Sequence, residues 1–229
     1  MNSRKDEIVS NLALVKEKIK VSALASHRNI NEIELIVVTK TFPASDIAIL
    51  HELGIRDFGE NRDSEGASKS VEVAGNWHFQ GQIQSNKLKS ITTWARYIHS
   101  LDSQEHLEKI ATLCKERIEE PLGIFIQVSL DGVVGRGGVL PNQLNELGDL
   151  VISKAGVRLM GLMAVAPLGG APDKAFTELA AIHKAFYTRF PTATALSAGM
   201  SGDYESAISH GATHIRVGSS ILGSRTPAL

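Results

Sequence analysis

The sequence predicts an α/β protein, a single (β/α)8 TIM-type barrel with an extra N-terminal helix. Strand-like and helix-like segments alternate through eight βα units, and only the last strand lacks a following helix. The strands are short, nearly continuous apolar runs such as "IELIVVTK", the pattern of a parallel sheet covered on both faces. The runner-up, an open doubly wound sheet, would need a glycine-rich phosphate loop after its first strand, and "TKTFPAS" supplies none.

Residues 7–28 read as the extra amphipathic helix, with Ile8, Leu12, Leu14, Val15, Ile19 and Leu24 at helical spacings. Strand 33–40 follows, then a helix over 44–54 stopped by Gly54, then strand 55–61. The alternation continues through helix 62–74, strand 76–81, helix 85–95, strand 97–102 and helix 103–119. It closes with strand 122–130, helix 141–154, strand 157–166, helix 172–190, strand 194–200, helix 202–211 and strand 214–222. No linker, solenoid-period repeat or low-complexity tract interrupts it, so residues 1–229 are expected to form one domain. The glycine-rich "LDGVVGRGGVLP" at 130–141 fits neither the dinucleotide nor the Walker pattern and is expected to be a mobile loop at the barrel mouth.

Composition narrows the function. Lys plus Arg is 24 and Asp plus Glu is 25, a net charge of -1, which lacks the basic footprint of a nucleic-acid binder. Charges are mixed into the apolar residues of the N-terminus, so it has no signal-peptide core, and no apolar run approaches a membrane span. The one cysteine, Cys114, excludes an internal disulfide and lies in a helical pattern as a small buried hydrophobe. A cytoplasmic, monomeric protein is expected. The pair His210 and His214 is split by Gly211, where the helix should end, which makes a poor metal site.

In a barrel of this kind the site lies where strands end and βα loops begin. Lys40 ends the first strand. A lone lysine there usually snorkels into solvent, but flanked by apolar barrel positions it is partly desolvated and suited to forming a Schiff base with a carbonyl. The partner is then a carbonyl substrate, as in aldolases, or pyridoxal phosphate. "LSAGMSGDYE" places Ser197, Gly199 and Ser201 at a strand end before a helix, and "RVGSSILG" repeats the device with Gly218, Ser219 and Ser220. Two such loops on adjacent strands predict a cup of backbone N–H groups for a phosphate. Arg216, two residues before Gly218, faces the same side. Arginine carries only donors, so facing a pyridine nitrogen it would hold that nitrogen unprotonated.

The motifs "VVTK", "FGEN", "WHFQGQIQSNK", "GLMAVAP", "LSAGMS" and "RVGSSILG", spread over residues 33–223, resemble those of the YggS/PROSC family of pyridoxal phosphate homeostasis proteins. The resemblance implies a barrel similar to the N-terminal domain of alanine racemase, with pyridoxal 5'-phosphate as cofactor. It implies that Lys40 is the Schiff-base lysine and that Asn61 lies beside the ring. Ser197, Gly199, Met200, Ser201, Gly218 and Ser219 would form the phosphate cup, Arg216 would face the pyridine nitrogen, and His78 and Met163 would line the pocket. The chain departs from the family pattern at Arg62, usually tyrosine, at Ala198, usually methionine, and in the loop 130–141, where Arg136 stands near a family lysine.

The implied function is a non-catalytic carrier that sequesters pyridoxal phosphate, delivers it to apo-enzymes and so maintains vitamin B6 and amino-acid homeostasis. The alternative is an amino-acid racemase. That activity needs a second base, a tyrosine supplied in alanine racemase by an extra C-terminal β-domain, for which this sequence leaves no residues after Leu229. Of its tyrosines, Tyr97, Tyr187 and Tyr204, only Tyr204 is expected near the rim. A Schiff-base aldolase shares the lysine and the cup but gives Arg216 no role.

Overall fold

The computed structural model describes residues 3–133, 135–167 and 169–223. Eight parallel strands close into a barrel in chain order, with the first strand paired to both the second and the eighth. They are β1 (Glu34–Val38), β2 (Asp57–Glu60), β3 (Asn76–Phe79), β4 (Tyr97–Leu101), β5 (Leu122–Gln127), β6 (Val157–Met163), β7 (Ala195–Met200) and β8 (His214–Val217). The helices are α1 (Arg4–Ala25), α2 (Ala44–Glu52), α3 (Asp63–Glu72), α4 (Leu88–Trp94), α5 (Gln104–Cys114), α6 (Leu144–Ile152), α7 (Pro172–Arg189), α8 (Tyr204–Ser209) and α9 (Ser219–Leu222). The predicted (β/α)8 barrel with its extra N-terminal helix is the architecture observed.

The last unit differs from expectation. Strand 214–222 ends at Val217, and residues 219–222 turn into the short helix α9. Gly218 makes the turn: its carbonyl accepts from the N–H groups of Ile221 and Leu222, so the chain leaves the sheet. Four residues cannot cover a barrel strand, and α1 takes the missing helix's place. It starts at a capping box in which Ser3 and Asp6 exchange side-chain and backbone hydrogen bonds. Arg4 reaches the carboxylate of Asp46 on α2 and the carbonyl of Leu222, and Asn11 donates to the carbonyl of Ile221. Ile8, Leu12, Val15, Ile19 and Ala23 are buried on one stripe of α1. Leu14 and Leu24, read from sequence as part of that stripe, are 64% and 65% exposed. At 100° per residue Leu14 lies on the face opposite Leu12.

The main core fills the layer between sheet and helices, and Cys114 lies within it, fully buried. The glycine-rich loop after β5 is pinned where it returns. Val139 bridges Val128, the Gly137 carbonyl accepts from Gln127 Nε2 at 2.8 Å, and Gly138 N donates to Asp102 at 3.2 Å. Val134 of this loop, and residues 224–229 after α9, lie outside the described residues.

Two bulges aim side chains at the barrel mouth. In β6, Ile124 pairs with Leu159 but Phe125 with Gly161, so Met160 is an extra residue. As a result Met160 and Met163, three apart, both face the interior. Between β7 and β8 the pairing shifts from Ser197–His214 to Met200–Arg216, around Gly199 at φ 89°. Gly161 has φ 152°, and a Cβ there would lie 1.8 Å from the carbonyl oxygen of Ala195. Gly161→Ala is expected to cost at least about 2 kcal/mol in urea unfolding. Gly54→Ala, at φ 89° with no atom within 4 Å, is the control for backbone conformation alone and should cost about 1 kcal/mol.

Candidate cofactor site at the barrel mouth

A cavity of about 320 Å³ opens at the C-terminal ends of the strands. Its walls bring together Lys40, Asn61, Met163, Met200, Ser201, Arg216, Gly218 and Ser219, all singled out in the sequence, with Val38, Phe42, Gln80, Val165, Gly202 and Gly223. The size lies at the lower end of small-molecule pockets. The lining mixes apolar side chains with two cations, two amides and two hydroxyls.

Lys40 is half-buried and continues the inward parity of Ile36 and Val38 beyond the end of β1. The residues on either side of it are fixed from outside the barrel by a second lysine. Lys69 of α3, only 7% exposed, spends its three donors on the carbonyl of Thr39 at 2.9 Å, Glu60 Oε1 at 2.7 Å and Glu65 Oε2 at 2.8 Å. Glu60 also accepts from Thr39 Oγ1 at 2.6 Å, and Glu65 from the backbone N–H of Thr41 at 2.6 Å. Thr41 sits at φ 70°, a strained conformation for a β-branched residue, and the Glu65 carboxylate holds it there. Burial raises the Glu60 carboxyl against the pull of Lys69, whereas the hydrogen bonds from Lys69 and Thr41 overcome burial and lower Glu65. The cluster thus clamps the chain directly before and after Lys40.

Arg216 closes the floor of the cavity at 5% exposure. Its Nη1 donates to Ser197 Oγ at 2.7 Å and its Nη2 to the carbonyl of Ala164 at 2.9 Å. Among the described residues no carboxylate lies within 4 Å of it, so it is not half of an ion pair. Burial lowers its pKa to about 10, which leaves it charged at neutral pH. The two loops of the predicted cup meet at Ser201, whose Oγ accepts from the N–H groups of Gly218 at 3.1 Å and Ser220 at 3.4 Å. Backbone donors from the start of α9 and the hydroxyl of the preceding loop therefore converge on one point. The Met200 amide does not join them, because Asp203 Oδ1 accepts it at 2.6 Å. Met200 contributes its side chain.

Three residues assigned by resemblance lie elsewhere. His78 is one strand layer below the cavity, 1% exposed, and bonds to Asp57 Oδ1 at 3.0 Å and His99 Nε2 at 2.9 Å. Gln80, two residues further along the same face, takes the cavity position. Ser197 is fully buried beneath the cup, between Arg216 and His99. Gly199 is turned against α8, where a Cβ would lie 2.8 Å from Tyr204 Cα. Gln80 and Val165 could have been found from strand parity, since they continue the inward faces of His78 and Met163.

A barrel with a rim lysine, a buried guanidinium below it and hydroxyls beside it presents the groups that a phosphorylated carbonyl compound would require. The family model of the alanine racemase N-terminal domain matches residues 10–226. The pyridoxal phosphate homeostasis protein of Mycobacterium leprae is 39% identical over 96% of this chain and 93% of its own. That of Escherichia coli K12 is 36% identical over 96% and 97%. The solved structure of PipY from Synechococcus elongatus PCC7942 with PLP bound superposes with a TM-score of 0.76 at 30% identity, covering 91% of this chain and all of that one. The chain belongs to the alanine racemase N-terminal domain family and, within it, to the pyridoxal phosphate homeostasis proteins.

The clamp around Lys40 yields a prediction. Lys69→Met leaves Glu60 buried and Glu65 half-buried without their cation and is expected to cost about 3–5 kcal/mol in urea unfolding. Adding Glu60→Gln, which removes the uncompensated charge, should restore part of that loss. No recovery in the double variant would show that packing, rather than the charge cluster, carries the role of Lys69.

Proposed function

We propose that this protein binds pyridoxal 5'-phosphate in the barrel-mouth cavity, sequesters it and passes it to apo-enzymes, with no substantial turnover of its own. The donor set fits the group. Lys40 supplies an amine and Ser201 and Ser219 supply hydroxyl donors for a phosphate, to which the Gly218 and Ser220 N–H groups, bonded here to Ser201 Oγ, would turn, and Arg216 supplies a cation at ring depth. Val38, Phe42 and Met163 supply apolar faces for a ring. Gln80 lines the same cavity, and its Nε2 is buried against Gly59 with no hydrogen-bond partner among the described residues.

When bound, pyridoxal phosphate supplies a reactive aldehyde and an electron-withdrawing ring. Lys40 would supply the amine that holds the aldehyde, the cup would hold the phosphate, and Asn61 would border the ring. Arg216, with donors only, would leave the pyridine nitrogen unprotonated and so weaken the ring as an electron sink. The observation that carries the carrier reading is the poverty of the cavity in acids and bases. Among its lining residues only Lys40 and Arg216 carry titratable side chains. Tyr204, the tyrosine expected near the rim, is 3% exposed in the core between sheet and helices, where burial raises its hydroxyl pKa. Nothing among the described residues offers the second base that a two-base racemase requires.

Borohydride treatment of the loaded protein should fix the cofactor mass on the Lys40 peptide, and Lys40→Ala should abolish that label. Full labelling of another lysine would refute the assignment. Removing one hydroxyl donor to the phosphate, in Ser201→Ala or Ser219→Ala, should weaken cofactor affinity about ten- to a hundredfold, because the backbone donors remain. The carrier reading itself is tested by following α-proton exchange of several amino acids in deuterated water and, in parallel, reactivation of an apo-enzyme. Negligible exchange with efficient reactivation is expected. Several exchange turnovers per second that vanish in Lys40→Ala would establish the racemase reading instead.

A further inference from the structure

Below the cavity a chain of four hydrogen bonds crosses the barrel interior. Arg216 Nη1 meets Ser197 Oγ at 2.7 Å, Ser197 Oγ meets His99 Nδ1 at 2.9 Å, His99 Nε2 meets His78 Nδ1 at 2.9 Å, and His78 Nε2 meets Asp57 Oδ1 at 3.0 Å. The chain starts in β8 at the cavity floor and ends at the first residue of β2, at the opposite end of the barrel. The imidazoles are held edge-on for these bonds by aromatic stacking, His78 against Tyr97 with centroids 4.6 Å apart and His99 against Phe125 at 4.2 Å.

Donor and acceptor counting gives the chain a direction. A carboxylate accepts only, so with Asp57 ionised His78 carries its proton on Nε2. Its Nδ1 then accepts, His99 Nε2 carries a proton, His99 Nδ1 accepts, and the Ser197 hydroxyl donates its single proton to it. The Ser197 oxygen is left to accept from the guanidinium. Burial lowers the pKa of both histidines, which keeps each to one proton. Asp57 is lowered despite its burial, chiefly by the hydrogen bond from His78, while burial and the neighbouring Asp57 raise Glu34 to about 7. Every donor hydrogen then points toward the carboxylate and every lone pair toward the guanidinium, the polarity that the two end charges favour. Reversed, the Ser197 proton would leave the chain and crowd the guanidinium beside the Ala164 carbonyl that Arg216 uses.

We infer that Asp57, acting through His78, His99 and Ser197, is a positioning residue for Arg216, setting the direction of every bond in the chain so that the Ser197 proton is committed to His99 and the Ser197 oxygen accepts from the guanidinium. The link to ring binding rests on the cofactor reading above; the ordering of the chain does not.

The test uses the full-length, cofactor-free protein labelled with ¹⁵N histidine and arginine. Two-bond ¹H–¹⁵N spectra report the tautomer of each imidazole. Both His78 and His99 should be Nε2–H in the wild type, and Nδ1–H at either overturns the inference without any variant. Asp57→Ala removes the terminal acceptor and should lower the ratio of Nε2–H to Nδ1–H at least tenfold at His99, which does not touch residue 57. An unchanged His99 would overturn it. Ser197→Ala should leave both imidazoles Nε2–H while Arg216 side-chain N–H exchange accelerates at least tenfold, because the direction is set from the Asp57 end. Flipped imidazoles in that variant, or unaltered Arg216 exchange, would also overturn it. Pyridoxal phosphate binding, measured separately by equilibrium dialysis, should weaken several-fold in Asp57→Ala. Absence of binding in the wild type would reject the cofactor reading while leaving the tautomer result standing.

Discussion

A buried positive charge without an adjacent carboxylate is the constraint around which this barrel is built. Moving a guanidinium out of water is expensive, and a neighbouring acid is the common remedy. Here the space beside Arg216 is cavity on one side and Ser197 and a backbone carbonyl on the other. The nearest bonded counter-charge is Asp57, reached through two imidazoles and a hydroxyl. Barrel interiors are usually layers of branched aliphatic side chains. This one divides, with Phe125, Met163 and Ala195 forming an apolar cluster and His78, His99, Ser197 and Arg216 a polar seam packed against it. The seam hydrogen-bonds the guanidinium, and Asp203, the carboxylate whose charge acts on it, makes no bond to it and leaves its cavity face to a ligand.

The rim solves a related problem with two lysines. Lys40 and Lys69 both approach the end of β1, but the pleat sends Lys40 into the barrel and leaves Lys69 to reach the outer face from α3. Lys69 is saturated by a carbonyl and two carboxylates and is part of the framework. Lys40 appears in none of the ion pairs among the described residues. The difference in role follows from partners rather than residue type: one ammonium spends its donors holding Thr39, Glu60 and Glu65, and the strained Thr41 held by Glu65 presents the other to the cavity.

Strand order and strand parity were legible in the sequence because a closed parallel barrel repeats one local unit. Lys40, Asn61, Met163, Ser201, Arg216, Gly218 and Ser219 reach the cavity, as their places at strand ends imply. What the sequence hid was depth. His78 and Gln80 share a face, and only the length of β3 decides which is level with the mouth. Ser197 and Met200 have opposite parity in a regular strand, and the bulge at Gly199 is what separates a buried relay serine from a wall residue. The end of β8 was hidden for another reason. "RVGSSIL" is apolar enough to continue as strand, and the turn depends on hydrogen bonds from residues 218–223 that carry no compositional mark.

The distribution of titratable groups also bears on why a racemase-like barrel would serve as a carrier. Two-base racemisation of a bound amino acid needs a base on each side of the reacting carbon, within hydrogen-bond reach. The interior is rich in imidazole, yet those rings lie a layer beneath the cavity, neutral and committed to a chain whose far end is a carboxylate at the opposite face. The layer facing the cavity holds hydroxyls, amides and two cations. On the proposed carrier reading, such a surface would bind an anion and a carbonyl compound and would move protons poorly. Placing the protonatable groups behind Arg216 rather than beside Lys40 would then let one barrel retain a reactive aldehyde without directing its chemistry onto whatever amine next enters the mouth.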